Sequence, residues 1–137
     1  MSASLAFQKF VRGALAADVG LRALVPADNI VDSNARPEVY PRINLGEDQE
    51  LPADEIVSRY TTVIATLHVW VREPGLATAK AIAGEVRRIL NRPSRLVFEA
   101  NGYRCIDCKF ASARFVRDPD GVTAHGIITF ESVIEEI

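Results

Sequence analysis

The chain has 137 residues, 48% hydrophobic and 25% charged, which is the size and balance of one globular domain able to build a core, and which excludes disorder of the whole chain. A formal net charge of -2 and a pI near 5.7 supply none of the overall positive potential with which non-specific nucleic-acid binders neutralise phosphates. No apolar run reaches the roughly 18 residues of a membrane span, and the N-terminus lacks the basic-then-apolar order of a signal peptide, so a mature cytosolic chain with no membrane partner is expected.

Ser2 or Ser4 can cap a first helix in which Phe7, Phe10, Val11, Ala14 and Leu15 repeat at i, i+3, i+4, i+7 and i+8, the spacing of one buried stripe. Asp18 to Leu24 reads as a short further helical turn, broken near Gly20 and stopped by Pro26. A short strand is expected at Asn29 to Asp32, and an extended segment at Val39 to Gly46, where Pro41 points to an edge position. Glu47 to Ser58 carries Glu47, Asp48, Glu50, Asp54 and Glu55 around Pro52 with no apolar period, and reads as a mobile acidic loop over 47–58.

Tyr60 to Arg72 is the clearest strand: Val63, Ala65, Leu67, Val69 and Val71 alternate with Thr62, Ile64, Thr66, His68 and Trp70. Fully extended it would span about 43 Å against a domain diameter of roughly 37 Å, so it either curls or projects with its Trp70 face waiting for a cover. Pro74-Gly75 ends it, and Ile82, Ala83, Val86, Ile89 and Leu90 then form a second helical stripe that stops at Asn91-Arg92-Pro93. Arg87, Arg88, Arg92 and Arg95 cluster near that C-terminus, where cations favour the negative end of the helix dipole. Strands at Val97 to Glu99 and Tyr103 to Arg117 flank the hairpin signal Asn101-Gly102. Asp118-Pro119-Asp120-Gly121 makes a second turn before the alternating run Val122 to Glu131. The order predicts one α+β domain over 1–137: a mainly antiparallel sheet with two principal helices packed on one face, long strands and a C-terminal β-hairpin.

Chemistry is sparse along this frame. Cys105-Ile106-Asp107-Cys108 has a metal-like spacing, but zinc needs four ligands and no second Cys/His pair exists. Residues three apart on a strand face opposite ways, so one buried and one partly exposed thiol are expected, with no metal and no cofactor. His68 and His125 lie on strands without an adjacent nucleophile, and no Gly-rich phosphate loop follows any strand, so both are read as structural or surface residues. The chain thus builds surfaces rather than a catalytic grouping; a small oligomeric α+β ligand-binding or catalytic domain, with a pocket between helices and sheet, stays the alternative to any purely structural role.

Four blocks in order, Tyr40-Pro41-Arg42-Ile43-Asn44-Leu45-Gly46, Leu67-His68-Val69-Trp70-Val71-Arg72, Ala79-Lys80-Ala81-Ile82, and Ser112 through Gly121 with His125-Gly126, resemble the tail-completion or tail-terminator family of tailed phages, prophages and gene transfer agents. Ala124 before His125, and the length of the acidic stretch, depart from that family's pattern. The resemblance implies a non-enzymatic subunit that forms a ring with copies of itself, typically a hexamer, made in the bacterial cytoplasm and retained in the virion or gene-transfer-agent tail. The ring would end the tail tube and join it to head connector proteins, while DNA passes through without specific binding. Trp70, Arg72, Phe115 and Arg117 are the expected subunit contacts, and Glu47, Asp48, Glu50, Asp54 and Glu55 the expected channel lining.

Overall fold

A computed structural model describes residues 2–32, 39–53, 59–91, 99–100 and 102–137. Helix α1 (Ala3–Ala17) starts where the Ser2 hydroxyl accepts the Leu5 N–H at 3.2 Å, and it buries Phe7, Val11 and Leu15. A second cap arrives from far along the chain: Glu50 accepts the Ser4 N–H at 2.9 Å, placing a carboxylate at the positive end of the helix dipole. The expected break near Gly20 falls instead at Asp18, which leaves helical geometry and accepts the Leu21 N–H at 2.9 Å to start α2 (Val19–Arg22). A short carboxylate that competes for backbone N–H groups is a stronger helix breaker here than the glycine. Arg88 then bridges Asp18 at 2.7 Å and Glu85 at 2.6 Å, tying α2 to the second principal helix.

The remaining elements are β1 (Ile30–Val31), β2 (Arg42–Pro52), β3 (Tyr60–Val71), α3 (Ala77–Leu90), β4 (Glu99–Ala100), β5 (Tyr103–Arg117) and β6 (Ala124–Glu136). Six strands form one sheet in the order β1-β2-β3-β6-β5-β4, antiparallel except for β1 against β2. Two expectations change. Pro41 precedes β2 rather than lying in it, and β1 covers β2 at Ile43 and Asn44, so that segment is not an edge. Residues 47–52, expected in a mobile loop, belong to β2: Asp48 pairs with Ala65 and Glu50 with Val63, after a bulge between Leu45 and Asp48. Pairing with β3 overrides the poor strand propensity of the carboxylates, while Asp54 and Glu55 lie outside the described residues. Strand β3 does not project bare, because β2 and β6 pair with both its edges.

Val63, Ala65, Leu67, Val69 and Val71 of β3, with Ala124, Ile128, Phe130 and Ile134 of β6, are buried beneath α1 and α3. Helix α3 contributes Ile82, Ala83, Val86 and Leu90 of its predicted stripe to the same core, with Ala79 added and Ile89 half-buried at its edge. The void between helices and sheet, lined by Phe7, Val11, Leu67, Leu90 and Phe130, measures about 10 Å³, room for no more than a water. Two bulges in β5, at Cys105/Asp107 and Phe110/Ser112, reset its register against β6. The first puts Cys105 and Cys108 on the same face, so both thiols are buried, not one; burial pushes them up to about 11 and about 12 respectively. The 118–121 turn forms as read, with Gly121 at φ 76° and Asp120 accepting from Val122 and Thr123.

Candidate functional site

The sheet face away from the helices concentrates its polar and aromatic side chains near the β5–β6 turn. Register dictates this: Arg42 on β2 opposes Trp70 on β3, which opposes His125 on β6, and in the next row Asn44 opposes His68. The Trp70 and His125 rings stack 3.7 Å apart at 9°. His125 Nε2 lies 2.8 Å from His68 Nδ1, and His68 Nε2 lies 3.2 Å from the Glu47 carboxylate. Glu47 can only accept, so His68 Nε2 donates to it, and in the neutral pair His68 Nδ1 accepts from His125 Nε2. Burial, then the neighbouring His68, pushes His125 down to about 4, which leaves it neutral near pH 7. Its own backbone N–H, then His68, hold Glu47 below the usual carboxylate range. Gly46 makes room for this arrangement, since a Cβ there would lie 2.6 Å from His68 Cδ2 and 2.9 Å from the Thr66 carbonyl. Asp32, Asn44, Glu47, His68, Trp70 and His125 border an open recess of about 310 Å³.

Beside the stack stands a second group. The Arg42 side chain is folded into the protein, 8% exposed, with Nε donating to Asn44 Oδ1 at 2.7 Å and its guanidinium 5.6 Å from the Trp70 ring centre. Tyr40, joined to Pro41 by a cis peptide, has the Arg42 guanidinium 5.0 Å and that of Arg72 4.9 Å from its ring centre. Arg42 Nη1 is buried without a hydrogen-bond partner.

The four expected contact residues all lie at this end of the sheet but do not form one patch. Trp70 is on the open face, half-buried, and Arg72 is exposed beside Tyr40. Phe115 opposes Gly126 on the helix-covered side, where Lys80 of α3 comes within 5.9 Å of its ring, and Arg117 opposes Ala124. The expected channel carboxylates divide as well. Glu47 is on the open face with its side chain 74% exposed, whereas Asp48 and Glu50 pair with buried-face residues of β3. Burial, then Glu47 and Glu50, push Asp48 up to about 6. Of the basic cluster, Arg87 covers the Phe110 ring at 4.2 Å and Arg88 is engaged with Asp18 and Glu85; Arg92 and Arg95 lie outside the described residues. Tyr40, Arg42 and the His68–His125 pair were missed as a unit by sequence reasoning. The one available signal was the turn at 118–121, which fixes the β5–β6 register, but nothing local aligns β3 with β6.

The buried thiols belong to the helix-covered face, so no Cys–His couple forms, and among the described residues no three His, Cys, Asp or Glu side chains are grouped to hold a metal. What the arrangement offers is a mixed aromatic and charged surface.

Comparison with known proteins agrees with a shared architecture. A chain in the virion of a native gene transfer agent particle has the same fold, with a TM-score of 0.83 at 22% identity over 98% of both chains. The solved gp17 protein of bacteriophage SPP1 superposes with a TM-score of 0.61 at 27% identity, covering 95% of this chain and 89% of that one. In sequence, the tail completion protein gp17 of Bacillus phage SPP1 is 29% identical over 101 residues, 74% of this chain and 72% of that protein. The family described as tail completion protein gp17 matches residues 9–135, from within α1 to the end of β6, and the chain belongs to that family.

Proposed function

We propose that the protein is a structural subunit that completes a phage or gene-transfer-agent tail: copies close into a ring, six in number, at the head-proximal end, terminate the tail tube and join it to the head connector. The carrying observation is the extent of the family match, residues 9–135, which makes the whole domain the shared feature rather than a site set into it. A closed ring needs two different surfaces on each subunit, since head-to-tail contacts are not self-complementary. The end of the sheet near the 118–121 turn offers Trp70 and Arg72 on one face and Phe115 and Arg117 on the other, which supports that mode of contact. The competing reading, a ligand domain with a pocket between helices and sheet, would rest on the open recess of about 260 Å³ where Gln8, Lys9 and Arg12 of α1 meet Ile30, Val31 and Leu45, since the void beneath both helices measures about 10 Å³. Assembly takes place in the bacterial cytoplasm and the subunit stays in the particle; DNA crosses the ring without specific binding. Glu47 is the described carboxylate best placed to repel passing phosphates, because Glu50 is occupied at the start of α1. Imaging of particle tails together with light scattering of the purified chain tests the reading. Ring density at the head-proximal tail end is expected; monomers in solution together with bare tail ends would sink it.

A further inference from the structure

Tyr40, Arg42 and Arg72 place two guanidinium groups around one ring, no more than about 10 Å apart and so within a Debye length of each other. Neither has a carboxylate within ion-pairing distance among the described residues; Asp120 feels the charge of Arg72 but makes no ion pair with it. Arg42 is also desolvated, with Nη1 buried and unpartnered, which is costly unless something accepts from it. A planar oxyanion placed between the two groups would balance their charge, because guanidinium N–H groups bind carboxylate oxygens in charge-assisted pairs.

The same chain carries carboxylates with which no arginine or lysine pairs among the described residues: Glu47 meets His68, Glu50 accepts the Ser4 N–H, and Asp48 makes no ion pair. Glu47, Asp48 and Glu50 stand close enough that the first and last raise the pKa of Asp48. Six residues along β2 separate Arg42 from Asp48, about 20 Å in an extended strand, so the two groups cannot neutralise each other within one copy. We propose that Tyr40, Arg42 and Arg72 form a receptor for a carboxylate side chain from the Glu47–Asp48 segment of a second copy of this chain. The proposal rests on the subunit-contact reading only for its place in the assembly. DNA phosphate is the less suitable occupant, since Glu47 and Asp32 on the same face would repel a polyanion.

The test uses the full chain and, as probe, the synthetic peptide of residues 46–53, followed through the fluorescence of Trp70, the one tryptophan and a neighbour of Arg42. Saturable binding in the millimolar range or tighter is expected, absent for the same peptide with Gln and Asn in place of Glu and Asp. Arg72→Gln, an exposed change that leaves the core intact, should bind roughly tenfold more weakly, the loss of about one charge-assisted contact. Equal binding of the neutral peptide, no saturation, an unaffected Arg72→Gln protein, or tighter binding of a DNA duplex would each overturn it. Peptide binding without rings on tails would leave the receptor standing and remove the ring; rings without peptide binding would do the reverse.

Discussion

At Gly46 the constraint is one of space rather than of backbone angle. A Cβ would lie 2.6 Å from the His68 ring and 2.9 Å from a backbone oxygen, and the backbone cannot yield cheaply, so Gly46→Ala should cost about 1–3 kcal/mol. Urea denaturation would show it, and the His125 imidazole resonances should shift as His68 is displaced. Two other residues set opposite pH trends. His125 has a folded value near 4 against an ordinary 6.5, so the unfolded chain gains a proton first and stability falls as pH drops between those values. Asp48, with a folded value near 6 against an ordinary 3.8, holds its proton longer when folded, so stability falls as pH rises through that interval. The two oppose each other between about pH 4 and 6. Asp48→Asn should therefore be more stable than the parent above pH 6, match it below pH 4, and expose the His125 slope in between; denaturation midpoints along a pH series check this. Trp70 and Arg72 were legible from strand parity alone. Arg42 was not, because a buried arginine is made by what the fold stacks around it, and Tyr40, before β2, and Trp70, on β3, lie thirty positions apart.

Among the elements, both principal helices and the two long strands β3 and β6 could be read from period and turn chemistry, since each carries its signal within a dozen residues. Strand β2 could not be read past Gly46. Its carboxylates look like a solvated loop until Glu50 meets the Ser4 N–H, a contact spanning 46 positions that no local pattern records. Glu50→Gln keeps an acceptor but removes the charge from the start of α1, so a loss of about 0.5–1 kcal/mol is expected, smaller at high salt, readable as a lower thermal midpoint. Glu50→Lys should lose more. The bulge at Ile106 likewise escaped, and with it the burial of both thiols. Cys105→Ala with Cys108→Ala should destabilise by about 2 kcal/mol through lost packing alone, and zinc should not change the parent protein's midpoint; stoichiometric zinc in purified material would contradict that.

The whole molecule was foreseeable as α+β with helices on one side, and the four sequence blocks pointed to the family now supported over residues 9–135. How the site is composed was not, because the expected contact residues fall on two faces and the expected channel lining is split by the pleat of β2. In particles, Trp70→Ala and Phe115→Ala should act on different sides of one subunit contact. Each alone is expected to reduce the yield of joined particles, and in the double variant the losses should be less than additive if the two residues meet across one contact; full additivity would argue for separate contacts.

The displaced residues of β5 carry a consequence for how the protein behaves before it meets a tail. Ala111 and Ile106 interrupt the strand twice, so the hydrogen-bonding edge that runs toward the 118–121 turn is cut into short pieces with differing orientation. A foreign strand seeking to add there finds no long straight template. Strand addition along this edge is thereby disfavoured, which leaves side chains rather than backbone to make any contact there.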